Sequence, residues 1–84
     1  MQNDKKIRLV VLSPQKTILD TMVDKVTLPA TRGRFMVLYN HAPVITSLDE
    51  GNLVYENDSV SGNIYIDAGF AEVCDNVVTI CAEV

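Results

Sequence analysis

The chain has 84 residues, 48% of them apolar, and its seven Lys and Arg against eleven Asp and Glu give a formal net charge of −4. This length predicts a single domain spanning residues 1–84 and excludes a second domain of ordinary size. The acidic balance argues against nucleic acid as a partner, because contacts to phosphates need a cationic face. No apolar run approaches the ~20 residues of a membrane-spanning helix. The polar residues 1–6 lack the apolar stretch of a signal peptide, so we expect a cytoplasmic protein.

Short β-branched segments separated by turn residues begin the chain. Residues 7–12 form the first predicted strand, and the Ser-Pro pair in residues 13–16 predicts a turn. Residues 17–19 form a short second strand and residues 22–28 a third, in which Asp24 interrupts the alternation and predicts a bulge or an exposed end. The side chains predicted to share the buried face of this third strand are Met22, Val26 and Leu28.

The middle of the chain contains two irregular stretches. We predict a loop at residues 29–34, where Pro29 lacks a donor and Gly33 can adopt a positive φ. Extended structure resumes at residues 35–39 and stops at residues 40–43, because Pro43 restricts the residue before it.

Strand and turn signals then alternate up to a final hairpin. Residues 44–48, 52–56 and 63–67 are predicted strands, separated by a turn at 49–51 and a polar loop at 57–62. The last hairpin joins residues 68–74 to residues 77–82 through a two-residue turn. The side chains predicted to share its buried face are Ala71, Val73, Val78, Ile80 and Ala82. Because no window carries a helical stripe, we predict an all-β fold, an antiparallel β-sandwich or flattened barrel of about ten short strands in two sheets.

The two cysteines lie on this hairpin. With a turn at Asp75-Asn76, Cys74 pairs with Val77 and Cys81 with Phe70, so the sulfurs share a face but lie roughly 13 Å apart along the strands. A disulfide needs Cα atoms within about 7 Å, so none is expected. Two cysteines and one histidine are too few for a tetrahedral zinc site. Both cysteines are therefore predicted to be small core or half-buried residues.

Catalytic chemistry has little support in the sequence. The single histidine, His41, is followed two residues later by a proline, which indicates a loop rather than a general base. The four glycines are scattered, so no phosphate-binding loop is present, and the acidic residues show no calcium-loop spacing. We expect no enzymatic activity, no cofactor and no metal.

Several motifs in order along the chain resemble the epsilon subunit of F-type ATP synthases. The central block is Leu-Pro-Ala at 28–30, Gly-Arg-Phe-Met at 33–36 and His-Ala-Pro-Val-Ile-Thr at 41–46, followed by Glu-Gly at 50–51. The C-terminal block is Ala-Gly-Phe-Ala-Glu-Val at 68–73 and Asn-Val-Val-Thr-Ile at 76–80. Ser-Pro at 13–14, followed by Thr-Ile-Leu at 17–19, lies where this family has its first turn. The resemblance extends from about residue 7 to residue 83.

The resemblance implies a β-sandwich without catalytic activity. In that family the N-terminal domain has ten strands and belongs to the central stalk of the rotor. It docks on the gamma subunit and on the polar loops of the membrane c-ring, coupling ion flow to ATP synthesis. The implied location is peripheral, on the cytoplasmic face of the cell membrane.

The resemblance also implies particular contact residues. Ser13, His41 and Thr46 match positions that face gamma. Each also has a local alternative: Ser13 and His41 can hold their own turns, and Thr46 can be an exposed strand residue. The loop that matches the c-ring-facing loop consists of Ala30, Thr31, Arg32, Gly33 and Arg34.

This chain departs from the family pattern at three places. Ala30 and Met36 replace glycines, which restricts the backbone and exposes an apolar side chain. Arg34, beside Arg32, stands where relatives often have a carboxylate, which suggests acidic or carbonyl acceptors on the partner. Most bacterial members continue into a helical hairpin that can bind ATP; none is predicted for residues 1–84.

Other functions remain as alternatives. Asp24-Lys25-Val26 is similar to the Asp-Lys-Ala turn of lipoyl carrier domains, although no turn residues flank Lys25. A free-standing β-sandwich binding module is a second alternative. The mitochondrial delta subunit shares the sandwich but is longer and carries an import presequence.

Overall fold

Nine β-strands make up all the regular structure of residues 5–84, the part of the chain that this computed structural model describes. Residues 1–4 of the polar N-terminal segment lie outside the described residues. The strands are β1 (Ile7–Leu12), β2 (Thr17–Val23), β3 (Lys25–Ala30), β4 (Gly33–Val37), β5 (Val44–Leu48), β6 (Gly51–Asn57), β7 (Val60–Ile66), β8 (Ala68–Cys74) and β9 (Val77–Glu83). The all-β prediction is confirmed.

The strands form one curled sheet in the order β2-β1-β9-β8-β5-β3-β6-β7, and β4 pairs with β3. The curl lies between β5 and β3, which pair only through Ala30 and Leu48. Strands β2, β1, β9, β8 and β5 therefore form a first layer, and β4, β3, β6 and β7 form a second layer that folds over it. The core between the layers is apolar, and no described polar or charged residue is buried in it.

One pairing differs from the antiparallel sandwich that the sequence predicts. Strand β1 pairs with β9 in parallel, while every other pairing in the described sheet is antiparallel. A parallel pair needs a long connection, which the seven strands between β1 and β9 provide. Strand β1 is consequently paired on both sides, with β2 and β9, and its inward side chains Ile7, Leu9 and Val11 are fully buried.

The predicted third strand at residues 22–28 is wrong at its beginning. Strand β2 continues to Val23, the chain bends at Asp24, and β3 starts at Lys25. The bend shifts the alternation, so Val23 is buried and Met22 is 48% exposed, contrary to the prediction. Asp24 holds this bend through two contacts: its N–H donates to the Glu56 carbonyl at 2.7 Å and its carboxylate accepts from the Asp58 N–H at 2.8 Å.

Two loops that the sequence predicts, at residues 29–34 and at residues 57–62, are shorter in the structure. In the loop predicted at 29–34, only Thr31 and Arg32 turn, because Ala30 pairs with Gly33 and Pro29 with Arg34. Strand β6 pairs with β3 only up to Thr27, so the missing N–H of Pro29 removes no ladder bond on that side.

The polar loop predicted at 57–62 is a two-residue turn at Asp58 and Ser59, which have φ values of 52° and 70°. Positive φ at both central residues is the geometry that closes a tight hairpin. Gly62 belongs to β7, and the Tyr55 ring packs where a Cβ at that position would stand. The polar composition of residues 57–62 therefore marks a strand at the edge of the sheet instead of a loop.

A cluster of charges joins the start of β1 to the β6–β7 turn. The Lys6 ammonium lies 2.9 Å from carboxylate oxygens of both Asp24 and Asp58, and it also donates to the Asn57 side chain. The hydrogen bond from the Asp58 N–H, together with Lys6, lowers the pKa of Asp24, while both carboxylates raise the pKa of Lys6. This cluster stabilises the bend at Asp24.

Replacing Lys6 by methionine is expected to lower the melting temperature at neutral pH, because Asp24 and Asp58 then lie close together without a cation. Because the pKa of Asp24 is lower in the folded chain than in the unfolded chain, its ionised carboxylate stabilises the fold above the unfolded pKa of about 3.9. This contribution is lost as the pH falls through the folded pKa. The raised pKa of Lys6 stabilises the fold below about pH 10.4 and is lost as the pH rises further. Thermal unfolding from pH 2 to 11 should show the difference between the two proteins narrowing toward pH 2 and beginning to narrow above about pH 10.4; a constant difference would contradict the expectation.

Candidate functional site

The outward surface of the first layer is rich in apolar side chains. Across the strands, Phe70 lies opposite Cys81, which lies opposite Leu12, and the neighbouring row runs from Ile45 through Glu72 and Thr79 to Val10. Ile45 is 73% exposed and Phe70 is 52% exposed. We call the surface formed by Val10, Leu12, Ile45, Phe70 and Cys81 the apolar face.

The outward surface of the second layer combines polar pairs with exposed apolar side chains, among them Met36 and Val60. Lys25 lies 3.7 Å from Glu56 across the β3–β6 pair, and the Tyr65 hydroxyl donates to the Glu50 carboxylate. That carboxylate raises the pKa of Tyr65 to about 12. An exposed apolar surface rimmed by polar residues is typical of an interaction site. On the first layer Ile45 and Phe70 are exposed beside Val10, Leu12 and Cys81, so we take the apolar face as the candidate docking surface.

Ser13 lies at one end of the apolar face. Its hydroxyl donates to the Lys16 carbonyl at 3.2 Å and accepts from the Lys16 N–H at 3.2 Å, which closes the predicted turn. The turn borders a shallow groove of about 360 Å³ that also includes Phe70 and Cys81. Ser13 thus holds its own turn and lines the same groove as Phe70, the aromatic residue of the apolar face.

A second groove, of about 340 Å³, lies at the β3–β4 turn. We call it the arginine groove. It brings together residues from β3, β4, β5 and the irregular stretch before β5. Its lining residues are Ala30, Arg32, Gly33, Arg34, Phe35, His41, Val44 and Thr46.

Hydrogen bonds fix the turn that carries the two arginines. The Thr31 N–H donates to the Ser47 carbonyl at 3.0 Å, and the Thr31 hydroxyl contacts Ser47 Oγ at 2.7 Å and donates to Asp49 at 3.0 Å. Gly33 has a φ of 128°, a conformation that favours glycine, as the sequence predicts. Arg34 donates through Nη2 to the Asn52 carbonyl at 3.2 Å. The turn is therefore anchored on β5 and β6.

The two arginines of this groove differ from three other cationic side chains of the chain, which have carboxylate partners. Lys6, Arg8 and Lys25 form ion pairs with carboxylates, whereas within residues 5–84 neither Arg32 nor Arg34 does. Both arginine residues are exposed. They form a local concentration of positive charge in a chain whose net charge is −4.

His41 lies on the wall of the arginine groove. Its Nδ1 is 2.7 Å from the Ala42 carbonyl oxygen, which can only accept, so Nδ1 carries the proton and Nε2 is the acceptor in the neutral ring. Its ring centroid lies 6.1 Å from that of Phe35. The preceding Asn40 has a φ of 65°, and its N–H donates to the Asn76 side chain at 2.6 Å. The stretch containing His41 is therefore tied to the β8–β9 turn.

The structure separates the three residues that the resemblance assigns to gamma. His41 and Thr46 lie in the arginine groove with Ala30, Arg32, Gly33 and Arg34, whereas Ser13 lies beside the apolar face. Thr46 pairs with Ala71 on the inward side of β5 and is half-buried. The sequence signal for Ile45 and Phe70 is their position opposite the buried aliphatic rows; for Phe70 this leaves a core position and a gamma-facing one open, and the structure exposes its side chain.

Within residues 5–84 no group of three or more His, Cys, Asp or Glu side chains could hold a metal ion. Both cysteines are free; Cys81 is half-buried as predicted, but Cys74 is exposed because it ends β8 on the outward side. The Asp75 carboxylate raises the pKa of the Cys74 thiol, which disfavours the reactive thiolate. No helix in this part of the chain is long and apolar enough to cross a membrane.

Lys25, the candidate carrier lysine, is the first residue of β3. It pairs with Glu56 across the β3–β6 ladder, and its side chain is 35% exposed. A carrier lysine at the tip of a hairpin would extend into solvent, and Lys25 instead lies along the sheet. The geometry favours a structural ion pair at this position.

Comparisons with known proteins agree with this architecture. Residues 6–84 match the family described as "ATP synthase, Delta/Epsilon chain, beta-sandwich domain". The ATP synthase epsilon chain of Lawsonia intracellularis is 39% identical over 80 residues, and that of Nitratidesulfovibrio vulgaris is 38% identical over the same length. Each match covers 95% of this chain and 60% of the relative, so the chain spans less than two thirds of these proteins.

Two solved structures have a similar fold. A chain in the mitochondrial ATP synthase OSCP/F1/c-ring assembly of Euglena gracilis matches with a TM-score of 0.88 and 27% identity, covering 98% of this chain and 53% of that chain. A chain in the central stalk and c-ring of Tetrahymena thermophila mitochondrial ATP synthase matches with a TM-score of 0.79 and 18% identity, covering 99% and 67%, and supports the fold alone. The family match covers all nine strands of the sandwich. This chain therefore belongs to the ATP synthase delta/epsilon family, and residues 6–84 correspond to the β-sandwich domain of that family.

Proposed function

We propose that this chain is a non-catalytic part of the central stalk of an F-type ATP synthase, docking on the gamma subunit and on the c-ring so that ion flow is coupled to ATP synthesis. The observation that carries this proposal is the apolar face, which leaves Ile45 and Phe70 exposed on a chain of the delta/epsilon family. Burial of these two side chains against a partner would remove apolar surface from water, which favours association.

The apolar face is the proposed gamma-binding surface. Its side chains project from β1, β5, β8 and β9, which are held by continuous ladders to their neighbours. A surface built on paired strands loses little conformational freedom when it binds, and this favours a stable joint between rotating parts. Ser13 stands at the edge of this surface and belongs to the same proposed contact.

The turn from Ala30 to Arg34 is the proposed c-ring contact. His41 and Thr46 line the groove beside it, so we place their gamma contact at the boundary between the two partners. A single rigid body can then hold gamma with one surface and the ring with an adjacent one. The corresponding location is the cytoplasmic face of the cell membrane, with attachment through the complex.

Affinity purification of the chain tests this proposal directly. A tagged chain expressed in its own cells in place of the untagged one is expected to bring gamma, the catalytic subunits and the c-ring out of membranes solubilised in mild detergent. Gel electrophoresis under native conditions would show the chain in a complex of several hundred kilodaltons. Recovery of the chain without any of these subunits would contradict the proposal and favour a free-standing binding module.

A further inference from the structure

We propose that the arginine groove binds a carboxylate side chain of its partner, so that the contact at the β3–β4 turn is an Arg-to-Asp or Arg-to-Glu pair. This inference rests on the proposed function, because it specifies the chemistry of the c-ring contact. It concerns the arginine groove and its two guanidinium groups, those of Arg32 and Arg34.

The first argument is the charge of the groove. None of the lining residues is acidic, and two of them are arginines. Within the described chain, these two guanidinium groups have no carboxylate within ion-pair distance. Within residues 5–84, Arg34 uses Nη2 alone in a hydrogen bond, to the Asn52 carbonyl, and a guanidinium has five donors. Donors are therefore available for an anion that the chain itself does not supply.

The second argument is the position of the nearby carboxylates. Asp49 accepts the hydroxyl hydrogen of Thr31, and Glu50 accepts that of Tyr65. Each of these carboxylates accepts from a hydroxyl that does not line the groove, and neither forms an ion pair with Arg32 or Arg34 in the described chain.

The third argument concerns the size and walls of the site. A volume of about 340 Å³ accommodates a single side chain and its peptide, and Phe35, Val44 and Ala30 give it apolar walls. Because both arginines are exposed, solvent screens the pair, and its geometry rather than a low dielectric constant favours it. An arginine guanidinium also matches the planar carboxylate through two parallel hydrogen bonds.

A protein carboxylate fits better than an anionic membrane surface. The same end of the molecule carries Asp49 and Glu50, both exposed, next to the turn. An extended negative surface that reached Arg32 and Arg34 would also meet these two carboxylates and be repelled. A single acidic side chain that enters the groove avoids them.

Carbodiimide coupling tests the proposal on the assembled complex. In an Arg34→Lys variant the introduced ammonium keeps the positive charge and can form an amide bond with an activated carboxylate in contact with it. We expect the tagged, detergent-purified complex to give a crosslink from position 34 to an Asp or Glu of another subunit, identified by mass spectrometry. Added salt should reduce the yield, since exposed charges are screened.

The matched control is Asn63→Lys, which places a lysine on exposed strand β7, away from the groove. It is expected to give no crosslink to the same partner residue. Arg34→Glu should reduce retention of the c-ring by about tenfold while gamma remains bound. A crosslink from position 34 only to Asp49 or Glu50 of the chain itself, or none at all in a complex that has assembled, would overturn the inference.

Two further outcomes separate the possible failures. If the chain does not purify with any ATP synthase subunit, the proposed function fails and this inference falls with it. If an Arg32→Glu/Arg34→Glu variant is lost from native membranes but retained in delipidated complex, the groove binds anionic lipid and the carboxylate assignment is wrong. Retention of the c-ring by this double variant in both preparations would likewise overturn it.

Discussion

Replacing Ile45 and Phe70 together by glutamate is expected to abolish binding to gamma without unfolding the chain. Both side chains are mostly in water, at 73% and 52% exposure, so the folded chain alone loses little when they change. Burial of a large apolar side chain at an interface contributes about 1.5–3 kcal/mol, and a buried unpaired carboxylate adds a cost of its own. The combined loss corresponds to a reduction in affinity of roughly 100-fold or more.

The measurement is the affinity of the purified chain for gamma, together with its melting temperature. The matched control is a Met36→Glu/Val60→Glu variant, which makes the same change in charge at side chains that are 45% and 70% exposed but belong to the second layer. The control should bind gamma as the unchanged chain does. Equal losses in the two variants would show that net charge, and not the apolar face, governs binding.

Replacing Gly69 by alanine is expected to destabilise the fold by about 1–3 kcal/mol, because the added Cβ overpacks a tight site. That carbon would collide with the Cys81 carbonyl oxygen and lie 3.1 Å from the Ala82 Cα. Both contacts are backbone of β9, which ladders to β8 and β1 hold in place on its two sides. A domain of this size has a total stability of only roughly 4–13 kcal/mol, so the loss is a large fraction of it.

The matched control is Gly62→Ala, where the added carbon meets the outer end of the Tyr55 ring instead of backbone. A side chain can rotate away more easily than a paired strand can move, so the loss should be smaller. Urea denaturation of the three proteins gives the free energies of unfolding. A larger loss for Gly62→Ala than for Gly69→Ala would contradict the explanation.

The β8–β9 hairpin shows how far the sequence alone can determine structure. The two-residue turn at Asp75-Asn76 fixes the register, since both residues adopt positive φ and the strands must pair directly beside them. The predicted pairs Cys74 with Val77 and Phe70 with Cys81 are therefore found in the structure. Alternation with a period of two then determines which side chains are buried.

The bend at Asp24 could not be predicted in the same way. Local alternation places Met22 on the buried side, and the chain instead exposes it, because Asp24 is bound by Asp58 and Lys6. Asp58 lies 34 residues away along the sequence. Contacts of this kind depend on the fold as a whole and have no local signal in the residues around the bend.

The candidate sites, too, are predicted in part from the sequence and are decided in part only by the tertiary structure. The motifs around Ser13, His41 and the turn at Ala30 to Arg34 indicate a family and its contact regions, and hydrophobic alternation indicates the sandwich, because these patterns lie within single strands and turns. Only the tertiary structure decides that His41 and Thr46 share a groove with the two arginines while Ser13 stands beside Phe70. The physical reason is that a groove or a face is formed by strands that are neighbours in the sheet but distant along the chain, so its composition is fixed by pairing and not by sequence order.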